Sequence, residues 1–370
     1  MDLDLTPEQE LVRRSAREFV DREIAPHVRD WDRDETMDRG IVAKLAAIGF
    51  LAGWELDTVS YCLVMEELGR ADSSVRGIVS VNVGLVGKTI KRWGTDEQKE
   101  QWLPRLASGE SLGCYALTEP GAGSDPGSIA TRAERDGDGW TVSGSKIFIT
   151  LGTWAALALV FARTGESITC FLVPTDAPGF SAHQIKGKLG LRAQDTGELT
   201  FDGVRVPGAN VLGEVGDGLK VALSALDNGR ISLAAGCVGI AQGCLEASLA
   251  YAKERQQFGR SIASFQLVQE LLAEITVETE AARLLTWRAA LAADSGARHT
   301  LESSVAKYYA SEAAVRAANA AVQIHGGYGY VDEYPVGKYL RDARVTTLYE
   351  GTSQIQKLII GRLLTGESAF

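Results

Sequence analysis

The hydrophobic spacing of this chain changes twice, and that constrains its fold more than anything else. Up to about residue 112 the apolar residues recur with helical spacing, from Leu112 to Pro207 they fall into short β-rich runs, and beyond Gly218 the helical period returns. The opening stretch carries its own start signals. Thr6-Pro7-Glu8-Gln9 combines a capping box with proline at the first helical position, and Leu11, Ala16, Phe19 and Val20 continue the stripe. A second box, Thr95-Asp96-Glu97-Gln98, opens another helix before Leu103-Pro104.

In the middle, Trp140–Ser143, Ile147–Thr150, Ile168–Val173 and Leu199–Phe201 read as strands, and Asp136-Gly137-Asp138-Gly139 is a hairpin signal. No long helix separates them, so a compact antiparallel sheet or barrel is expected rather than a doubly wound fold. Near the C-terminus Phe265, Val268, Leu271, Leu272, Ile275, Ala282 and Leu285 form one helical stripe, and Leu301, Val305, Tyr308, Ala313 and Val315 suggest a second. Such helices pack as bundles. The expected architecture is α+β and multi-domain: a helical N-terminal domain (1–112), a middle antiparallel β domain (113–214) and a C-terminal four-helix bundle (215–370).

A length of 370 residues suits two or three packed domains. A formal net charge of -10 without a Lys/Arg cluster argues against nucleic acid as a partner. Cys62, Cys114, Cys170, Cys237 and Cys244 are scattered among apolar and small residues, as buried free thiols in a reducing compartment would be. The start, Met1-Asp2-Leu3-Asp4-Leu5, lacks the features of a signal or transit peptide, so the expectation is a cytoplasmic protein without membrane insertion. A bundle also raises the question of a di-iron site. None of His27, His183, His299 or His325 has a Glu three residues before it, and no CxxC occurs, so no metal is expected.

Two glycine-rich stretches imitate nucleotide loops. Gly121–Gly127 has the wrong spacing for a dinucleotide fingerprint, is interrupted by Pro126, and leads into a hairpin rather than a helix. Gly213–Lys220 lacks the Walker spacing and reads as a linker.

Glu350 sits between the apolar pair Leu348-Tyr349 and Gly351, ahead of a helix that Ser353 and Gln356 would open in capping-box spacing. Beside apolar groups, with no adjacent Lys or Arg, a carboxyl has a raised pKa suited to proton abstraction near neutral pH. Taken alone, the same residue also reads as a solvated acid in a loop.

Five ordered segments carry a resemblance that runs almost end to end: Tyr115-Ala116-Leu117-Thr118-Glu119-Pro120-Gly121-Ala122-Gly123-Ser124-Asp125, Asp227-Asn228-Gly229-Arg230, Arg255-Gln256-Gln257-Phe258-Gly259, Gln323-Ile324-His325-Gly326-Gly327 and Tyr349-Glu350-Gly351-Thr352. The chain resembles the acyl-CoA dehydrogenase family, leaning toward short-chain and short-branched-chain members. The likeness implies FAD, a homotetramer (or dimer), desaturation of an acyl-CoA between Cα and Cβ, and an electron-transferring flavoprotein as electron acceptor. Glu350 would be the base. Its backbone N–H would help bind the thioester oxygen, and flavin N5 would take the β-hydride. Some relatives carry their base just before the arginine that is Arg230 here; this chain has Asn228 and Gly229 there.

On the same likeness, Tyr115, Leu117, Thr118, Gly123, Ser124, Phe148, Ile149 and Thr150 would line the isoalloxazine. Thr352 and Gln354 would contact the cofactor at the helix start. Arg255, Phe258, Gln266, Gln323, Gly326 and Gly327 would reach its pyrophosphate and adenosine half from a neighbouring subunit. Ser124, Asp227, Arg230, Tyr349 and Gly351 would bind substrate, although Asp227 and Arg230 also read as an interhelical salt bridge. Two departures stand out: Leu151, where relatives often have asparagine, and a segment near Gly53 several residues shorter than usual. An acyl-CoA oxidase or a carrier-protein-linked dehydrogenase shares these features, and an inert helical scaffold is the reading from another class.

Overall fold

The computed structural model describes residues 4–368; Met1 to Leu3, part of the segment read for a leader, lie outside the described residues. The first helices are α1 (Pro7–Glu23), α2 (Val28–Asp34), α3 (Ile41–Ala47), α4 (Thr58–Ala71), α5 (Ser73–Val79), α6 (Lys88–Trp93) and α7 (Asp96–Ala107), with a buried π-helical stretch, Ser80–Gly87, joining α5 to α6. Both capping boxes form: Thr6 with Gln9 on α1 and Thr95 with Gln98 on α7. α7 does not stop at Pro104 but runs on to Ala107, because buried Trp102 and Leu106 anchor it on both sides of the proline. The short segment around Gly53 closes as a 3-10 turn, Phe50–Glu55, and packs Trp54 against Gly87.

The β region contains β1 (Gly113–Ala116), β2 (Arg132–Asp136), β3 (Gly139–Thr150), β4 (Leu157–Thr164), β5 (Ser167–Pro174), β6 (Phe180–Gln184), β7 (Thr196–Pro207) and β8 (Val211–Leu212). They form one sheet, ordered β6-β7-β3-β2-β4-β5-β8, with β1 also on β4. It is mostly antiparallel; β1 and β2 each pair with β4 in parallel. The hairpin signal is a two-residue turn between paired Asp136 and Gly139, with Gly137 at φ +61°. β3 breaks register against β7 between Lys146 and Ile149. That irregularity turns Phe148 outward at φ +60°.

The last third holds α8 (Gly218–Glu254), α9 (Gln266–Asp294), α10 (Thr300–His325), α11 (Val336–Thr346) and α12 (Ser353–Thr365). α8, α9 and α10 pack on one another, and α4 lies along α8. By length and composition α8 is apolar enough to cross a membrane, but most of it is buried within this fold. Of the stripe expected on α10 only Ala313 is buried: Leu301, Val305, Tyr308 and Val315 are half-buried, and the core face is made instead by Ser303, Ser304, Ala306, Ala310, Ala314 and Ala317. Small residues win that face because they let the backbones of α8 and α10 approach closely.

Glycines make a second close seam of α8, against α4. A β-carbon at Gly239 would collide with the Glu66 carbonyl oxygen, and one at Gly243 would stand 2.7 Å from the Arg70 carbonyl oxygen. The helical regions are also tied by a buried triad. Asp72 caps Ser74 at the start of α5 and accepts a 2.7 Å hydrogen bond from Lys338, which also bonds Asp342 on α11. All five cysteines are buried free thiols.

Candidate active site

Glu350 lies in the turn between α11 and α12, with left-handed backbone at Glu350 (φ +54°) and Gly351 (φ +87°). Glycine takes that conformation freely and glutamate does not, so the turn needs outside support. Three elements supply it. Arg230 Nε of α8 donates to the Glu350 carbonyl (3.3 Å), Gln356 of α12 donates to the same oxygen (3.0 Å) and to that of Gly351 (3.1 Å), and Lys307 of α10 donates to the Gly351 carbonyl at 2.7 Å. The cap of α12 is Thr352, accepting from Ile355 N–H at 3.2 Å, one residue earlier than expected. The Ser353/Gln356 box does not form, since Ser353 donates to Glu312 and Gln356 is engaged by the turn.

Part of Glu350 remains accessible, but its Oε2 is enclosed and has no hydrogen-bond partner among the described residues. That oxygen lies where a side chain at Gly229 would begin, with Leu85 beside it. Burial pushes the carboxyl above the usual carboxylate range, and the cations of Arg76, Lys307 and Arg230 partly offset this. The apolar setting read from neighbours in sequence is therefore corrected: three basic residues from α5, α10 and α8 face the acid. Burial in turn lowers Lys307 to about 8. The Glu350 backbone N–H has no acceptor among the described residues, leaving a donor beside the carboxylate.

Asp227 and Arg230 pair at 2.8 Å within α8, three residues apart, so the bridge is not interhelical. Thr300 Oγ1 also donates to Asp227, at 2.8 Å. Sequence reasoning missed Lys307 and two further residues here. Arg76 of α5 is 2% exposed and donates through Nη2 to the Tyr349 hydroxyl at 2.8 Å, while its Nε and Nη1 find no acceptor among the described residues. The Tyr61 hydroxyl of α4, near Ser232, makes no well-directed hydrogen bond. The available signal for Arg76 was a lone charge in the otherwise small and apolar run Ser73–Val79.

On the β side, Tyr115 donates to the Ala222 carbonyl (3.1 Å), joining β1 to α8. Thr118 accepts from Ile147 N–H at 2.9 Å, setting the glycine turn beside the end of β3. Below it the buried pair Glu119–Lys146 closes at 2.8 Å. Gly121 and Gly123 face open space, Ser124 is exposed, and Phe148 is 65% exposed. Leu117 and Ile149 turn their side chains inward, leaving only their backbones toward this surface. Thr150 Oγ1 accepts from Gln194 at 3.1 Å and keeps its own proton to donate. Leu151 adopts φ +63°, a conformation asparagine tolerates better, and is held by full burial and its N–H bond to the Asp195 carbonyl. Thr352 and Gln354 lie at the start of α12, with Gln354 exposed.

The remaining predicted residues lie elsewhere. Arg255 follows Arg230 by 25 residues at the far end of α8, roughly 37 Å along the axis at 1.5 Å per residue. With Tyr251, Gln257, Gly326, Gly327 and Tyr328 it lines an open cleft of about 550 Å³. Gln266 starts α9 and Gln323 ends α10, both exposed. Phe258 caps the hairpin between Gln257 and Arg260 at φ +52° and is 93% exposed. The predicted residues thus fall into two groups, one around the Glu350 turn and the end of β3, the other around the cleft at the far end of α8.

Family models for the acyl-CoA dehydrogenase N-terminal, middle and C-terminal domains match residues 6–110, 114–204 and 216–365. The mouse mitochondrial short-chain specific acyl-CoA dehydrogenase is 41% identical, over 98% of this chain and 91% of that protein. This chain belongs to the acyl-CoA dehydrogenase family. Among solved acyl-CoA dehydrogenases, butyryl-CoA dehydrogenase of Megasphaera elsdenii superposes with a TM-score of 0.96 at 38% identity, covering 98% of this chain and 100% of that one. A glutaryl-CoA dehydrogenase of Mycobacterium smegmatis in complex with FADH2 gives 0.96 at 36%, over 99% and 96%. A prolyl acyl carrier protein oxidase, AnaB, gives 0.94 at 31%, over 98% and 100%. The three-domain acyl-CoA dehydrogenase fold and membership among these oxidoreductases follow directly.

Proposed function

We propose that this chain is an FAD-dependent short-chain acyl-CoA dehydrogenase in which Glu350 removes the α-proton of an acyl thioester to give a trans-2-enoyl product. The observation that carries this reading is the enclosed, unpartnered Glu350 Oε2 beside Gly229, held by Arg230, Lys307 and Gln356 on a turn with a free backbone N–H. An α-proton of a thioester is weakly acidic, so its removal needs a raised-pKa carboxylate and a donor on the thioester oxygen. The Glu350 carboxylate and N–H fit those roles. When bound, the flavin supplies the acceptor for the hydride leaving Cβ.

The residues present fit such a cofactor. Exposed Phe148 offers a ring face, Thr150 a free O–H and the open turn Gly121–Ser124 a backbone ledge. Arg255, Gly326 and Gly327 offer a second, cationic ledge where side chains would fill the space. Because these groups lie at opposite ends of α8, the second ledge serves the cofactor of a neighbouring copy, in a homodimer or homotetramer. An electron-transferring flavoprotein is the expected acceptor.

The test is spectroscopic. Purified protein should be yellow and bleach anaerobically on adding butyryl-CoA, and Glu350→Gln should keep the colour but not bleach. Bleaching of that variant at the normal rate would remove Glu350 from the role of base. The likeness to AnaB favours one second reading, an oxidase or carrier-linked enzyme. Prompt peroxide formation in air, or bleaching only by a carrier-bound thioester, would establish it.

A further inference from the structure

Two glycines seven residues apart on α8 bracket a buried polar wall. At Gly229 the missing β-carbon leaves room for Glu350 Oε2 and for Leu85 at 2.8 Å; at Gly236 it leaves room for the Arg76 side chain, whose Nε is 2.7 Å from where that carbon would stand. The glycines are two turns apart, roughly 10 Å along the axis, the length scale of a short acyl chain. Between them lie Ser232, sharing a 3.0 Å hydrogen bond with Ser80, and the partnerless Tyr61 hydroxyl.

Arg76 is the anomaly in this wall. It is 2% exposed and no carboxylate pairs with it; the neutral Tyr349 hydroxyl is its one acceptor among the described residues, and the three N–H bonds of Nε and Nη1 have none. A buried guanidinium left short of acceptors is costly, and one laid against hydrocarbon would stay so when substrate binds. A plain alkyl chain would supply none of the missing acceptors.

We infer that the acyl group handled by this enzyme carries an oxygen acceptor beyond Cβ, a terminal carboxylate or hydroxyl, which Arg76 binds while Glu350 acts at Cα. This rests on the acyl-thioester reading above. Gly236 is then a specificity residue too, since any side chain there displaces the guanidinium.

The test compares three five-carbon thioesters on the flavin-loaded enzyme: glutaryl-CoA, 5-hydroxypentanoyl-CoA and pentanoyl-CoA. Two readouts are taken, anaerobic flavin reduction and calorimetric binding to the non-reacting Glu350→Gln protein. At least one oxygen-bearing thioester should be preferred over pentanoyl-CoA by roughly 10- to 100-fold, the range of a hydrogen bond to a charged donor. Arg76→Met should erase that preference in binding to the Glu350→Gln protein, where no acid is left for the cation to act on, with the affinity for pentanoyl-CoA kept within about threefold. Arg76→Lys, which keeps the charge but loses the fork, should erase most of it and guards against a variant that misfolds. A preference confined to glutaryl-CoA assigns a carboxylate, and one shared with the alcohol assigns a hydroxyl. If wild type prefers pentanoyl-CoA, or if Arg76→Met slows all three equally, Arg76 is only a countercharge for Glu350 and the inference falls. Bleaching by pentanoyl-CoA in that event leaves the dehydrogenase reading standing; no bleaching by any of them removes both.

Discussion

Glu350 Oε2 rests against the bare α-carbon of Gly229, in the space that a side chain on α8 would otherwise fill. Glycine at 229 and a carboxylate at 350 are therefore two halves of one choice. The carboxylate comes from the α11–α12 turn because the helix leaves the space open.

Gly229→Ala tests that relationship. The added methyl would collide with Oε2 and crowd Leu85, pushing the acid out of line. Anaerobic stopped-flow should show flavin reduction slowed by roughly 10- to 100-fold, about 1.4 to 2.7 kcal/mol of barrier, with an unchanged flavin spectrum. An unaltered rate would mean that the carboxylate works from another position.

The pH profile of the reductive step should report the same acid. Glu350 must be ionised to accept a proton, and burial raises its pKa, so the rate should rise with pH through a value above the ordinary carboxylate range. Lys307, lowered to about 8, is protonated through most of that range and favours the carboxylate. Lys307→Met removes this cation, so the rising limb should move to higher pH. A limb that stayed in place would confine Lys307 to holding the Gly351 carbonyl.

Arg255→Ala should loosen the cofactor without disturbing the base. If its guanidinium holds cofactor phosphate, its loss should cost about 1.5 to 3 kcal/mol, a roughly 10- to 100-fold weaker hold. The measurement is the flavin-to-protein ratio after gel filtration at low concentration. Full retention would show that Arg255, whose guanidinium lies 5.6 Å over the Tyr328 ring, is a surface cation.

Lys338→Met addresses stability alone. Lys338 neutralises Asp72 and Asp342 inside the fold, and its removal leaves two acids buried together. A loss of about 3 to 5 kcal/mol is expected for breaking such a cluster, read as a large drop in thermal midpoint with flavin bound. A shift of only a degree or two would show that water reaches the triad.

Much of this was legible in advance because it is local. Capping boxes at Thr6 and Thr95, the turn at Gly137 and the switch of period at Leu112 depend on residues near in sequence, and the structure follows them. The electrostatics of the site were not legible. Arg76, Arg230 and Lys307 lie 274, 120 and 43 residues from Glu350 in the numbering and meet it only through packing. The stripe on α10 misled for a related reason: periodicity marks large apolar residues, whereas the tight face there is built of Ala and Ser. Thr352 displaced Ser353 as the cap because Glu312, distant in sequence, takes the Ser353 hydroxyl.

The glycine seam of α8 limits how this enzyme can be re-engineered. A pocket walled by side chains is enlarged by trimming them, but Gly229 and Gly236 have nothing left to trim, and additions there strike Glu350 or Arg76. On this helix size can only be subtracted from the cavity. Selection for longer or less polar acyl groups must therefore act on the side chains packed around those glycines, at Tyr61, Arg76 and Leu85, where substitutions can change length or polarity.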